Sequence, residues 1–340
     1  MLILLLGVPL GNLIDDENRK LTQADHQPTS ARAQTTWSGV VELTDSYTVN
    51  VTDELIIAPC TVVKLPNAAR IFVDGRIIVQ GDTSCRVTLD RVSNGLHYGI
   101  QFNQSSYGRG SVIDNLSIEN SMYGITIYGS NPILNNVTVV NPSRVGVDLF
   151  SSANPTIRDL LVDQSGRGFS YADWRFGIGL SVGAGSAPVV ERAVLSDTRI
   201  RGLNIWGDSG GIYRQITIDN ITAEGALAIS AGVWVEDSRP LITNVSVDKS
   251  DYGILIRHID DGGYTRAVVR DCVVTNSMYR GIYIDKANHT NFTNYESADF
   301  TNTVVRGTGG PNAKTSNIGF AAIEVNATGA VSYTHLTLPT

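Results

Sequence analysis

The sequence predicts an all-β solenoid of stacked, parallel strands, and three observations carry that expectation. A pattern of Gly, aliphatic, variable, aliphatic, variable recurs along the chain, as in Gly232-Val-Trp-Val-Glu. A second short strand with its own alternation follows each copy. No stretch sustains the i, i+3, i+4, i+7 apolar spacing of a helix, and Gly or Pro interrupts every longer apolar run. A repeat of this length cannot bury its apolar face alone, so units must stack. Neighbours related by translation pair in parallel.

The chain opens with residues 1–14, mostly apolar and shorter than the roughly 20 residues of a membrane span. The stretch suits the apolar part of a signal peptide without its basic leader, so the expectation is export, to the cell surface or beyond it. Residues 15–36 are polar, lack periodicity and read as a linker. The folded domain is expected over 37–330. Its opening, 37–92, holds short runs rich in β-branched residues (Leu55-Ile-Ile, Thr61-Val-Val-Lys-Leu, Ile71-Phe-Val, Ile77-Ile-Val, Val87-Thr-Leu) between turn signals such as Asp74-Gly75 and Gly81-Asp82. The first coils would cap the apolar end of the stack.

The Gly-led units begin at Gly99, Gly124, Gly146, Gly177, Gly202, Gly232, Gly253 and Gly281, with a degenerate copy at Gly319. The second-strand series runs Asn115-Leu-Ser-Ile, Asn136-Val-Thr-Val, Asp159-Leu-Leu-Val, Arg192-Ala-Val-Leu, Gln215-Ile-Thr-Ile, Asn244-Val-Ser-Val, Asp271-Cys-Val-Val and Asn302-Thr-Val-Val. Its leading Asn or Asp suits a left-handed turn position and can form a hydrogen-bonded ladder along the stack. About nine or more coils are expected. Insertions at 166–175, 259–265 and 286–300 lengthen three of them. Residues 331–340 match neither repeat nor cap and are set aside as a non-native tail.

This coil pattern resembles the right-handed parallel β-helix (pectin-lyase-like) superfamily of secreted polysaccharide-active and surface proteins, over roughly 37–330. The resemblance is specific for fold and poor for function. The adjacent Asp pair with a downstream Gly-His-Gly of polygalacturonase-like members is missing, as is the pectate-lyase Asp/Arg pattern.

Three cysteines make no disulfide framework. Cys60 and Cys85 are one coil apart, close enough to bridge neighbouring rungs or to remain free. Cys272 falls at an inward position and reads as a buried thiol. A net charge of −7 without a basic patch excludes a nucleic-acid partner. Only 3 Met and 5 His, unclustered, argue against copper delivery by a periplasmic β-helix protein.

Alternation places the third and fifth residues of each Gly-led strand outward. Trp206, Trp234 and Tyr283, extended by Tyr128 and Phe150, would form a stacking platform for sugar rings; the competing reading is a satellite core under inserted loops. Glu236, Arg257 and Asp285 occupy three successive rungs. They make an ordinary charge ladder or a catalytic set, because carboxylates two rungs apart (about 9.6 Å between backbones) approach the spacing of an inverting glycosidase, with Arg257 favouring an anionic sugar. His258 reads as structural. Asp260 and Asp261 are candidate Ca²⁺ ligands or a turn, and no other cofactor is implied.

The residues favour an exported, non-catalytic module that binds a polysaccharide, a cell-surface glycan or a protein partner. The alternative is a polysaccharide lyase or glycoside hydrolase acting on an acidic polysaccharide, and a structural spacer ranks lower.

Overall fold

In the computed structural model the described residues are 32–167, 177–221, 223, 229–259, 265–286, 297–308, 321–326 and 331–334. The chain divides into Met1–Arg32 and Ala33–Thr340. Of the first unit only Arg32 is described, so the leader and most of the linker lie outside the described residues. The described residues of the second unit form a seventeen-stranded and an eleven-stranded sheet. Its strand pairs are parallel, as translation of one coil onto the next requires.

The eleven-stranded sheet takes one strand from each coil. Among them are Tyr123–Tyr128, Val145–Phe150, Ile178–Val182, Arg201–Trp206, Ala231–Glu236, Tyr252–His258 and Arg280–Lys286. Their inward pairs, Ile125/Ile127, Val147/Leu149, Leu180/Val182, Leu203/Ile205, Val233/Val235 and Ile254/Ile256, are at most 3% exposed and stack as two aliphatic columns. Burying each such side chain is worth about 1.5–3 kcal/mol.

The larger sheet holds the second-strand series, in longer strands such as Val112–Glu119, Ile133–Val140 and Thr156–Asp163. Each bends at the residue expected in a left-handed turn. Asn115, Asn136, Asp159, Arg192, Gln215, Asn244, Asp271 and Asn302 all have φ between 48° and 57°. Asn136 Nδ2 donates to Asn115 Oδ1 at 2.5 Å and Asn115 Nδ2 to the Gly81 carbonyl at 2.8 Å, so part of the predicted ladder forms. Elsewhere the same place holds an ion pair, Arg192 with Asp159.

Cys60 and Cys85 form a disulfide with Cα atoms 4.8 Å apart. Cys272 is a buried free thiol, its pKa pushed up to about 11 chiefly by burial.

Four expectations are corrected. Ala33–Trp37 is already a strand, paired with Asp53–Ile57, inside the stretch read as linker. Val331–Thr334, set aside as tail, pairs with Ser297–Thr301. Gly179 rather than Gly177 leads its unit: Ser181 pairs with Asp148 and Asn204, and Gly177 is a turn residue at φ +96°. The alternation Gly-Ile-Gly-Leu-Ser-Val-Gly fits either register from sequence. The last copy is led by position 322, because Arg280 pairs with Ala321 and Ile282 with Ile323.

Candidate functional site

The site lies on the outer surface of the eleven-stranded sheet, and the repeated glycine explains its shape. A Cβ on Gly232 would stand 2.2 Å from Val247 Cγ1 and 2.9 Å from the Gly253 carbonyl oxygen. Gly124, Gly146 and Gly202 meet the same obstruction from Val139, Val162 and Ile218. Each glycine therefore faces the core at a tight corner, where no side chain fits. Simple alternation fails at that corner, and the residue before the glycine joins the outer surface. Tyr123, Val145, Ile178, Arg201, Ala231, Tyr252 and Arg280 form this column in register. The period-two reading overlooked it, although the column was visible as the residue preceding each glycine.

A cleft of about 350 Å³ opens between this column and the next, lined by Tyr123, Val145, Asp148, Phe150, Ile178, Ser181 and Trp206. Gly183 stands where other rungs carry a fifth-position side chain. The Trp206 ring fills that gap, with Cε2 only 2.3 Å from where a Gly183 Cβ would be. Tyr128, Phe150 and Trp206 then run as a chain of rings, with centroids 5.8 and 6.2 Å apart.

Asp148 is the carboxyl among the described residues lining this cleft. It is 5% exposed, and its Oδ1 makes no hydrogen bond. Burial among aromatic and aliphatic walls pushes its carboxyl up to about 7, against a downward pull from the Ser181 hydroxyl. The sequence placed Asp148 in an outward column but gave no sign of this environment, which comes from residues one and two coils away.

A second cleft of about 210 Å³ shares the Trp206 wall and is otherwise lined by Arg201, Trp234, Glu236 and Arg257. The Arg201 guanidinium lies 3.8 Å from the Trp234 ring centroid and donates to Asn204 Oδ1 at 2.6 Å. Burial lowers its pKa to about 10, which leaves it cationic at neutral pH, and Glu236 counteracts the shift. Register places Glu236, Arg257 and Asp285 on successive rungs, as the sequence indicated. Arg257 Nε stands 3.4 Å from Asp285 Oδ2. Trp234 Nε1 donates to Glu236 Oε2 at 3.1 Å, and the Tyr283 hydroxyl to Asp285 Oδ1 at 3.1 Å.

The five-ring platform is corrected by this packing. Trp234 is only 5% exposed and belongs to a satellite cluster with Ala231, Tyr252 and Leu255, against which Tyr279 and Tyr283 pack. Side chains from the overlooked column cover it: Arg201 lies over its ring, and Tyr252 stacks 5.6 Å from Tyr283. Tyr128, Phe150 and Trp206 remain on the open edge.

His258 is 1% exposed and its Nδ1 lies 2.8 Å from Asp237 Oδ1, inside the structure rather than at the clefts. Asp260 and Asp261 lie outside the described residues. No group of three or more potential metal-ligating side chains occurs among the described residues.

Residues 75–235 match a family model described as a right-handed β-helix region. Solved structures share the coil architecture. The chain is a right-handed parallel β-helix of the pectin-lyase-like fold. An alginate lyase from Paenibacillus sp. str. FPU-7 superposes with a TM-score of 0.57 at 12% identity, over 85% of this chain and 99% of that one. A mutant of the periplasmic alginate epimerase AlgG gives 0.54 at 12%, over 89% and 85%. The A-module of the mannuronan C-5 epimerase AlgE6 from Azotobacter vinelandii gives 0.51 at 16%, over 90% and 91%. At such identities the likeness establishes the fold. No curated protein matches the chain in sequence.

Proposed function

We propose that this protein is an exported enzyme that cleaves an acidic polysaccharide along the outer surface of its eleven-stranded sheet. The observation that carries the reading is the pair of adjoining clefts sharing Trp206, one holding Asp148 and the other Arg201 and Arg257. A linear polymer crossing successive rungs would meet the aromatic edge of Tyr128, Phe150 and Trp206, and then two guanidinium groups. Guanidinium is suited to paired recognition of a sugar carboxylate. Glu236, Asp285, Trp234 and Tyr283 serve this arrangement by holding Arg201 and Arg257 in place.

The sequence-based preference for a non-catalytic module is corrected. The proteins named above that share this fold are a lyase and two epimerases acting on polysaccharide, and the enzyme alternative fits them better.

Hydrolysis is the preferred reaction, because a carboxyl kept protonated by burial in an aromatic cleft is suited to act as a general acid. Elimination is the second reading. It is favoured by the arginines, since loss of the proton beside a sugar carboxylate requires that charge to be offset.

Arg257→Gln and Trp206→Ala separate binding from architecture. Both should raise KM for a polyuronate severalfold or more, with an unchanged far-ultraviolet circular dichroism spectrum. Unchanged KM in both variants would remove the two clefts from the account.

A further inference from the structure

Resting on that reading, we propose that Asp148 is the proton donor of the reaction, a role distinct from the charged ladder of Glu236, Arg257 and Asp285. Among the described residues, the strands on either side bring it no second carboxylate. On the neighbouring rungs the outward positions hold Tyr123, Thr126 and Tyr128 on one side, and Ile178, Ser181, Arg201, Asn204 and Trp206 on the other. None of these is a second carboxylate. Register puts Ser181 beside Asp148 and Asn204 one rung beyond. Tyr123 faces the same cleft, its hydroxyl held by Arg144 Nη1 at 2.8 Å. Glu236 lies three rungs away, about 14 Å along the stack.

Asp148 accepts from the Ser181 hydroxyl, as Glu236 and Asp285 accept from Trp234 and Tyr283, but only one of its oxygens is satisfied. Asp148 has a buried oxygen with no hydrogen bond, in a cleft large enough for a sugar ring. A buried polar atom left unpaired is unfavourable, and a ligand oxygen placed against it would complete the hydrogen bond.

In the step assigned, the protonated Asp148 gives its proton to the glycosidic oxygen. The carbon–oxygen bond breaks and its electron pair stays on that oxygen, which leaves as a hydroxyl. Water enters on the side the leaving oxygen vacates and forms the new bond to the sugar carbon, while Asp148, now a carboxylate, takes its proton. Atoms and charge balance with water as the only co-reactant. The upward displacement of the Asp148 carboxyl toward about 7 keeps much of it protonated at neutral pH, so kcat should fall as pH rises through that region. Ser181 pulls the value down, so Ser181→Ala should move the falling limb to higher pH.

The test compares wild type, Asp148→Asn and Ser181→Ala on alginate, polygalacturonate and hyaluronan, and on 4-nitrophenyl glucuronide, whose leaving group needs no proton. Asp148→Asn is expected to lower kcat on the polymer cleaved by wild type by about 100-fold or more. KM should be nearly unchanged and the aryl glycoside much less affected. Thermal unfolding of each variant monitors the fold. Asp148→Asn retaining wild-type kcat would overturn the inference while leaving the function standing. So would unsaturated rather than hydrated products, or a pH limb that Ser181→Ala does not move. A wild-type protein inert on every polymer would overturn the function itself, and the inference with it.

Discussion

Substituting Gly183 by alanine would perturb the aromatic edge without replacing any side chain that meets the polymer. The new Cβ would lie 2.3 Å from Trp206 Cε2 and 2.5 Å from Cζ2. Carbon contacts settle near 3.5 Å, so the ring must withdraw by about 1.2 Å. The obstructing atoms are the far end of a side chain, and Gly183 has no left-handed φ that would strain alanine. The stability cost therefore belongs at the low end of the roughly 1–3 kcal/mol of overpacking. Trp206 forms a wall of both clefts, and its contact with Phe150 (centroids 6.2 Å apart) is worth about 0.5–1.5 kcal/mol. Losing that order amounts to up to about tenfold in affinity, with a larger effect on turnover where reacting groups are misplaced by about 1 Å. Retention on immobilised polyuronate, steady-state kinetics and thermal unfolding would be measured together. Wild-type retention and turnover in Gly183→Ala would refute the reasoning.

Other predictions follow from the same geometry. Gly232→Ala should lower stability by about 1–3 kcal/mol, because its Cβ would stand 2.2 Å from Val247 Cγ1; pairing it with Val247→Ala should cost less than the sum of the two in denaturant unfolding, and strict additivity would contradict the corner model. Asn136→Ala loses the bond to Asn115 and puts alanine at φ 51°, so it should cost about 1–2 kcal/mol. Asn136→Gly, free of the backbone term, should cost less in the same assay. Asp148→Asn should stabilise the fold increasingly as pH rises. The native carboxyl holds its proton to about 7 and the unfolded one only to about 4, so burying the charge penalises wild type progressively across that window. A melting-temperature difference independent of pH between 4 and 8 would exclude it.

Much of the fold was legible because each repeated residue answers a local demand. The glycine is required by a core side chain facing it, and the leading Asn or Asp by a left-handed bend. Both demands recur with every coil, so the pattern survives variation elsewhere. The Gly177 register slipped because two glycines two residues apart satisfy the same alternation, and only pairing with Asp148 and Asn204 decides between them.

The charged rungs at Glu236, Arg257 and Asp285 could be aligned from spacing alone. The clefts could not. Tyr123, Arg201, Tyr252 and Arg280 reach the outer surface because alternation breaks at the glycine corner, and that break is a packing effect. It also buries Trp234, which period-two logic left open. The environment of Asp148 is assembled from Tyr123, Ser181 and Trp206, 25, 33 and 58 positions away in sequence. No local motif announces such a site.

The most direct measurement of the central claim is incubation of the wild-type protein with alginate, polygalacturonate and hyaluronan beside a neutral glucan, following new reducing ends and unsaturated products. New reducing ends are expected from an acidic polymer and none from the glucan. Cleavage confined to the neutral glucan, or no cleavage of any polymer by folded protein, would contradict it.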